Sequence, residues 1–244
     1  RAPVGGSIAG PVGSPGVMSG WIVAAGVIIV AYGIGTVPAA QWVSRRTGDD
    51  PTAEGSRNPG ATNVYRLSGR VPGASVLAID LGKGAVAAGL ALALGGRELA
   101  LAAGAAAVLG HIVPVTRRLR GGKGVATAGG MALVLWPVPS VVLVLIFVVA
   151  AVVVRIAAVG SLVIAAGLPV AVAVAGAPGV EVGVAAGVAM LVVARHHENI
   201  RRLLAGQEQA TLRADTDAGT DTDTDTDRAA GTPPPPDPTR RPLE

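Results

Sequence analysis

The chain has 244 residues, a formal net charge of +4 and no cysteine, so a disulfide framework, a thiolate nucleophile and a thiolate metal site are excluded. Only 15% of the residues are charged and 50% are hydrophobic, with a mean hydropathy of +0.55, whereas a soluble domain carries roughly 25% charged residues. Aromatic residues, which stack on nucleic acid bases, make up only 2%, so the composition indicates an integral membrane protein and no nucleic acid partner.

Residues 1–19 are rich in Gly and Pro and lack the pattern of a signal peptide, so we expect a disordered amino-terminal segment. Residues 21–43 form an apolar run close to the ~20 residues that cross a bilayer, with a kink expected at Pro38. The run ends with an interfacial Trp42 and two cations, Arg45 and Arg46, which is typical of a cytoplasmic helix end. The amino terminus is therefore expected outside.

A polar loop spans residues 47–72 and concentrates hydroxyl, amide and guanidinium groups between Glu54 and Arg66. Ordinary turn chemistry explains Gly, Asn and Pro in such a loop. The clustering favours a folded binding loop instead.

The second predicted span, residues 73–94, contains Asp80 and Lys83 on one helix face. Charged residues inside a membrane cost roughly 2.5 to 3.5 kcal/mol each on insertion scales, so both must face protein or a water-filled cavity, or lie near the cytoplasmic edge. Two interpretations stay open: a neutralised pair that joins helices, or contact of Lys83 with a substrate. A short outside turn at 95–98 precedes a third span at 99–115.

The basic, glycine-rich loop at residues 117–124 separates two apolar stretches. Glycines allow several backbone N–H groups to converge on an anion, a following helix start adds donors, and Lys123 adds a full charge. A basic loop beside an apolar segment also arises from ordinary membrane topology. The loop alone therefore leaves phosphate binding and a topological anchor equally open.

The apolar run at 125–154 is too long for one span and contains two prolines at 136–139, so we predict a turn there between two shorter helices. Two further spans follow at 161–177 and 180–194, and the last continues as a helix to residue 204.

Thr–Asp repeats and a proline run fill the sequence that follows. Such a tract buries too little apolar surface to offset its chain entropy. Residues 207–244 are therefore predicted to be a disordered cytoplasmic tail.

The charges are distributed unequally between the two sides of this arrangement. One side would carry Arg45, Arg46, Arg57, Arg66, Arg70, Arg117, Arg118, Arg120, Lys123, Arg155, Arg195, Arg201 and Arg202. The opposite loops carry Arg97, Glu98 and Glu181. The positive-inside rule then predicts an all-α integral membrane protein with about seven transmembrane helices, some short or broken, the amino terminus outside and the carboxyl terminus cytoplasmic.

Three sparse polar stretches, at 56–66, 121–124 and 195–199, emerge at the same membrane face in this arrangement. His196 and Asn199 lie three positions apart and share one helix face, although a histidine near a helix end is commonly a capping residue. Arg66 and Lys123 supply charge for an anion, which makes this face a candidate binding site.

At these stretches the chain resembles the acyl-phosphate-dependent glycerol 3-phosphate acyltransferases of bacteria, the PlsY family. The resemblance lies in residues 55–66 (Gly-Ser-Arg-Asn-Pro-Gly-Ala-Thr-Asn-Val-Tyr-Arg), in residues 110–114 (Gly-His-Ile-Val-Pro) followed by 121–127 (Gly-Gly-Lys-Gly-Val-Ala-Thr), and in residues 195–206 (Arg-His-His-Glu-Asn-Ile-Arg-Arg-Leu-Leu-Ala-Gly). It covers about residues 20–208, and the three blocks together are highly specific.

The resemblance implies a seven-helix enzyme of the bacterial inner membrane with its active site at the cytoplasmic face. It would transfer a fatty acyl group from acyl phosphate to the 1-hydroxyl of sn-glycerol 3-phosphate, the first step of phospholipid synthesis, with no metal or other cofactor and no obligate protein partner. Residues 20–206 would form the acyltransferase domain, in contact with membrane lipid.

Position by position, the resemblance assigns catalytic roles to Ser56, Arg66, His196 and Asn199. The candidate substrate- and phosphate-binding residues are Lys123, Gly121, Gly122, Gly124, Asn58, Gly60, Asn63 and Lys83. Arg57, His197 and Ala158 depart from residues frequent in relatives, which affects fine substrate contacts.

Two other functions compete with this one. A transporter for a phosphorylated metabolite would also use Arg, Lys and broken helices, but predicts midplane charges beyond Asp80 and Lys83 and internal repeats. A non-catalytic membrane scaffold fits the composition and leaves the three polar blocks unexplained.

Overall fold

A computed structural model describes residues 15–208 and residue 210, and within them every regular element is helical. The helices are α1 (Pro15–Gly35), α2 (Ala39–Thr47), α3 (Ala61–Ser68), α4 (Arg70–Ile112), α5 (Val125–Leu135), α6 (Pro137–Val154), α7 (Ala157–Val174), α8 (Gly179–Arg195) and α9 (His197–Leu204), with a short 3-10 helix, Val115–Arg117, after α4. Residues 1–14 and 211–244, most of the two predicted disordered segments, lie outside the described residues.

Four helical stretches are long and apolar enough to cross a membrane: Gly20–Thr47, Arg70–Arg117, Pro137–Val154 and Ala157–Val174. A fifth candidate is α8 together with α9, which meet at a bend of 58°. The helices also expose large apolar side chains, such as Ile29 on α1 and Leu145 and Val149 on α6. These features confirm the prediction of an all-helical integral membrane protein.

Helix α4 is a folded hairpin. Its 43 residues would extend about 64 Å if straight at ~1.5 Å per residue, about twice the ~30 Å thickness of a bilayer core. The backbone leaves helical geometry at Gly95 and Gly96, where Gly96 has φ +77°. Gly84 and Gly104, on the two sides of this break, both pack against Met131 of α5, so the chain folds back where the sequence predicts the turn.

The contact between α4 and α5 is backbone against backbone. A Cβ at Gly84 would overlap the carbonyl oxygen of Thr127, and a Cβ at Gly130 would overlap that of Leu81. Only glycine allows this approach at these positions. The contact fixes the start of α5, and with it the glycine-rich loop that leads into α5.

Several breaks differ in detail from the sequence-based expectation. The first span breaks between Gly35 and Ala39, rather than bending as one helix, and the polar loop contains α3. Helix α6 begins at Pro137, because proline is favoured in the first turn of a helix, where its missing N–H costs nothing. The last span does not continue straight to residue 204 but bends at His196.

A polar cluster around the buried carboxylate of Glu181 joins three breaks at the end of the bundle away from the glycine-rich loop. Arg97 forms an ion pair with Glu181 and also donates to the carbonyl of Leu135 (2.8 Å). The indole Nε1 of Trp136 donates to Oε2 of Glu181 (2.6 Å). The kink of α4, the α5–α6 break and the start of α8 are thereby connected.

Asp80 and Lys83 form a neutralised pair inside the bundle. Lys83 Nζ lies 2.6 Å from Asp80 Oδ1 and donates to the carbonyl of Val37 (2.6 Å). His111 Nδ1 lies 3.6 Å from the same Oδ1. The ammonium group therefore ties α4 to the break between α1 and α2.

Candidate functional site

A polar cavity of about 460 Å³ lies where the three polar stretches meet. Its lining includes residues from 52–59, from 117–123 and from 195–202. The charged residues of the lining are Arg57, Arg117, Arg120, Lys123, Arg195, Arg202 and a single carboxylate, Glu198. A cavity with this surplus of positive charge is suited to an anionic ligand.

Arg195 holds the glycine-rich loop in place from the end of α8. Its guanidinium donates from Nη2 to the carbonyl of Gly121 (3.1 Å) and from Nε to the carbonyl of Gly122 (3.3 Å). On the other side, the Gly122 N–H donates to the carbonyl of His111 (3.2 Å). The carbonyl of Gly121 and the N–H of Gly122 are therefore both used within the fold. The donors left for a ligand are the first N–H groups of α5, which have no partner within the helix.

Lys123 lines the cavity with a half-buried side chain. Burial lowers the pKa of its ammonium group to about 8, an effect that the nearby Glu208 carboxylate partly opposes and that Arg202 and Arg66 reinforce. At neutral pH the side chain is still cationic, and a bound phosphate would favour that state further.

His196 follows the last residue of α8 and is only 2% exposed. Its Nδ1 lies 2.7 Å from the carbonyl oxygen of Val192, and because a carbonyl only accepts, the proton is on Nδ1. Burial, with a smaller contribution from the charge of Lys123, lowers the pKa of His196 to about 4. The imidazole is therefore neutral near pH 7, with Nε2 as a hydrogen-bond acceptor.

Asn199 and Arg202 share a buried carboxylate. Asn199 Nδ2 donates to Oε1 of Glu208 (2.7 Å), and Arg202 Nε donates to Oε2 (2.7 Å). Arg66 Nε donates to the carbonyl of Ala210 (3.1 Å). The predicted tail starts at residue 207, yet residues 207, 208 and 210 make these and neighbouring contacts with α9 and α3.

The first polar stretch is shaped by one amide. Asn63 is 1% exposed; its Nδ2 donates to the carbonyls of Pro51 (3.0 Å) and Glu54 (3.1 Å), and its Oδ1 accepts from the backbone N–H of Ser56 (3.0 Å). Both donors of Asn63 are used within the loop. The loop in turn presents Ser56 and Asn58 to the cavity.

Of the other predicted site residues, Gly121 lines the cavity and Gly124 has φ +84° directly before α5. Gly60 is the residue before α3, with extended backbone geometry. Lys83 is not among the residues that line the cavity, and neither are Arg66, His196 and Asn199. The ammonium of Lys83 is paired with Asp80 inside the bundle.

Sequence reasoning missed Arg195 and Glu208 as parts of the site. Arg195 adjoins His196 in the third polar stretch, so its position was a usable indication of a local role. Glu208 lies just beyond the last helix and was assigned to the disordered tail because of the low-complexity sequence that follows it.

A narrow apolar cavity of about 60 Å³ lies between α5, α6, α7 and α8. Val125, two residues after Lys123, and Val192, whose carbonyl contacts His196, both line it. The two cavities share no lining residue, but residues close in sequence, Lys123 and Val125, line one each.

The comparisons with known proteins agree with this arrangement. The family model described as "Glycerol-3-phosphate acyltransferase" matches residues 25–206. The chain is 39% identical over 180 residues to the glycerol-3-phosphate acyltransferase of Geobacter sulfurreducens, covering 73% of this chain and 93% of that protein. It is 42% identical over 182 residues to the one of a Jannaschia species, covering 74% and 89%.

Among solved structures, the chain is similar to the crystal structure of PlsY, an integral membrane glycerol 3-phosphate acyltransferase, in its glycerol 3-phosphate form. The TM-score is 0.74 at 33% identity, with 77% of this chain and 95% of that chain covered. The lysophosphatidic acid form gives a TM-score of 0.73. These matches confirm the resemblance seen in the sequence: the chain belongs to the glycerol-3-phosphate acyltransferase family.

Proposed function

We propose that this protein transfers a fatty acyl group from acyl phosphate to the 1-hydroxyl of sn-glycerol 3-phosphate, giving lysophosphatidic acid and phosphate, the first step of phospholipid synthesis. The observation that carries the proposal is the cationic cavity of about 460 Å³ at which all three polar stretches meet. An apolar cavity begins at Val125, two residues after Lys123, and a polar and an apolar cavity formed by neighbouring residues suit one water-soluble and one amphiphilic substrate.

Positive charge would be matched to the phosphate groups. Lys123 and the helix start after it would bind phosphoryl oxygens, and Arg66, near Lys123, would add a second cation. Ser56 and Asn58, which line the cavity, would orient the polar acceptor. Holding the reactants in this way supplies most of the catalysis that an activated acyl donor requires.

His196 and Asn199 would orient the acceptor hydroxyl and the acyl carbonyl. The hydroxyl oxygen attacks the carbonyl carbon, the bond between that carbon and the phosphate oxygen breaks, and phosphate leaves. An imidazole with a pKa of about 4 is a weak base, whereas phosphate monoesters have a second pKa of about 6. We therefore assign the hydroxyl proton to a phosphate oxygen of a substrate, with His196 Nε2 accepting a hydrogen bond. An acyl phosphate is already activated, so the reaction as proposed takes no cofactor.

We further propose that the protein crosses the bacterial inner membrane seven times, with the cavity at the cytoplasmic face. The cationic residues that line the cavity belong to the positively charged side predicted from the sequence. The short helix α5 and the two halves of α4 would be separate spans in this arrangement.

The proposal is tested by supplying palmitoyl phosphate and glycerol 3-phosphate to the purified full-length protein in detergent. We expect stoichiometric release of phosphate and formation of lysophosphatidic acid. Lys123→Ala should lower kcat/KM by about 100-fold or more, because a charged hydrogen bond is worth roughly 1.5 to 3 kcal/mol and the helix start loses its cation.

His196→Ala should lower kcat while the variant remains folded, since the imidazole orients the reacting groups. Unchanged turnover in both variants would contradict the assigned site. Accumulation of labelled glycerol 3-phosphate in proteoliposomes without lysolipid formation would favour a transporter instead.

A further inference from the structure

Arg117 lines the polar cavity and has guanidinium nitrogens that the described part of the fold does not use. It is the last residue of the 3-10 helix after α4, and its half-buried side chain lines the cavity. Its Nε and Nη2 are buried and have no hydrogen-bond partner in the part of the chain that the structure describes. Buried donors of a charged group are costly unless a ligand or an ordered water takes them.

The carboxylate of Asp80, whose charge acts on Arg117, is already neutralised. Asp80 is paired with Lys83 at 2.6 Å, and the same ammonium donates to the carbonyl of Val37. One negative charge therefore faces two positive ones, those of Lys83 and Arg117. The cavity lining holds six cationic side chains and one carboxylate, Glu198, so the surplus positive charge favours an anion that enters the cavity.

The proposed reaction needs two anion positions, because both substrates carry a phosphate group. Lys123 directly precedes the start of α5, and Val125 of α5 lines the apolar cavity, so this position suits the headgroup of the amphiphilic substrate. Arg117 lines the polar cavity but not the apolar one. A planar guanidinium can also bind two phosphate oxygens at once.

We infer that Arg117 binds the phosphate group of glycerol 3-phosphate. The inference rests on the proposed acyltransferase function and names a binding residue for its water-soluble substrate. It separates Arg117 from Arg118, although the sequence places both in one basic run: Arg118 is exposed and is not among the residues that line the cavity.

The test compares Arg117→Gln with Arg118→Gln, which removes the same charge one residue away, and with Arg117→Lys, which keeps the charge and loses the planar fork. Steady-state rates are measured against each substrate in turn with the full-length protein in detergent. In Arg117→Gln we expect KM for glycerol 3-phosphate to rise about tenfold or more. We expect KM for palmitoyl phosphate to stay within about twofold.

Arg118→Gln should leave both KM values unchanged, and Arg117→Lys should fall between Arg117→Gln and the wild type. A loss of kcat in Arg117→Gln with both KM values unchanged would indicate a structural role and overturn the inference. A rise in KM for palmitoyl phosphate alone, or equal effects of Arg117→Gln and Arg118→Gln, would also overturn it.

Binding of radiolabelled glycerol 3-phosphate, measured directly on the same variants, separates this inference from the proposed function. If the wild type binds the label, Arg118→Gln binds it equally and Arg117→Gln loses it, the inference holds even where no lysophosphatidic acid forms. If Arg117→Gln retains wild-type binding, the inference fails whatever the enzymatic activity.

Discussion

Lys123 is placed where a cation is needed to bind phosphate, yet its burial favours the neutral amine. Burial brings its pKa to about 8, well below the ~10.4 of an exposed lysine. The negative charge of Glu208 limits this lowering of the Lys123 pKa. The charge of Lys123 therefore depends on pH in the range in which the enzyme is assayed.

We predict that kcat/KM falls as the pH rises through about 8, because the lysine of the free enzyme loses its proton there and its attraction for phosphate with it. Lys123→Arg keeps its charge at high pH, because an arginine side chain is effectively always protonated, so its alkaline limb should move upward by at least one pH unit. A pH–rate profile of both proteins, corrected for spontaneous donor hydrolysis, checks this. Superimposable profiles would contradict it.

The residue types of the site were predictable from the sequence, but several of their partners were not. Arg195 contacts the glycine-rich loop from 73 and 74 positions away, and such a contact depends on how the fold places the end of α8 beside the loop between α4 and α5. Asn63 was predicted among the substrate-binding residues, whereas both of its donors hold the polar loop together. The sequence shows that a side-chain amide is present, but only the fold shows whether its donors are free to bind a ligand.

At the scale of elements, the breaks between helices are as informative as the helices. The kink at Gly95 and Gly96, the break at Trp136 and the start of α8 are joined by the Arg97–Glu181 pair. Glu181 is 3% exposed, so its carboxylate depends on Arg97 and Trp136 for its hydrogen bonds. The cluster lies at the end of the bundle away from the glycine-rich loop and is expected to serve stability.

Arg97→Met should lower the stability of the folded protein by roughly 2 kcal/mol, because it leaves a buried carboxylate without its cation. The midpoint of thermal unfolding in detergent measures the effect. Glu98→Gln, in the same turn and exposed, is the control and should change little. The double variant Arg97→Met/Glu181→Met should recover part of the loss, and a double variant less stable than Arg97→Met would argue against the pair.

Glycine and proline predicted most of these breaks, because their effects on the backbone are local. The turn at Gly95 and Gly96 and the break before Pro137 follow from residues at the break itself. Helix α3 was not expected. Its eight residues make only about two turns, and so short a helix is stable only when another element, here α4, packs against it. The bend at His196 likewise depends on burial of that side chain in the bundle.

For the whole molecule, the proposed topology places the glycine-rich loop and the turn after α7 on opposite sides of the membrane. The chain contains no cysteine, so a single introduced thiol reports its own position without any background. Thr116 and Ala175 are both exposed and uncharged, which makes them matched sites for labelling.

We predict that a membrane-impermeant maleimide labels Thr116→Cys in inverted vesicles and Ala175→Cys in right-side-out vesicles. Each variant, assayed in the opposite vesicles, serves as the control for the other. Labelling of both from one side would contradict the seven-span arrangement, and a reversed pattern would contradict the orientation.

The backbone contact between α4 and α5 gives α5 two different sides. Toward α4, the main chains touch at Gly84 and Gly130, with no layer of side chains between the helices. Toward α6, α7 and α8, its side chains line an apolar cavity. If an alkyl chain enters that cavity, as the proposed function requires, we expect α6, α7 and α8 to shift rather than α4, because close-packed main chains leave no room for movement. The glycine-rich loop, which leads into α5, would then keep its position.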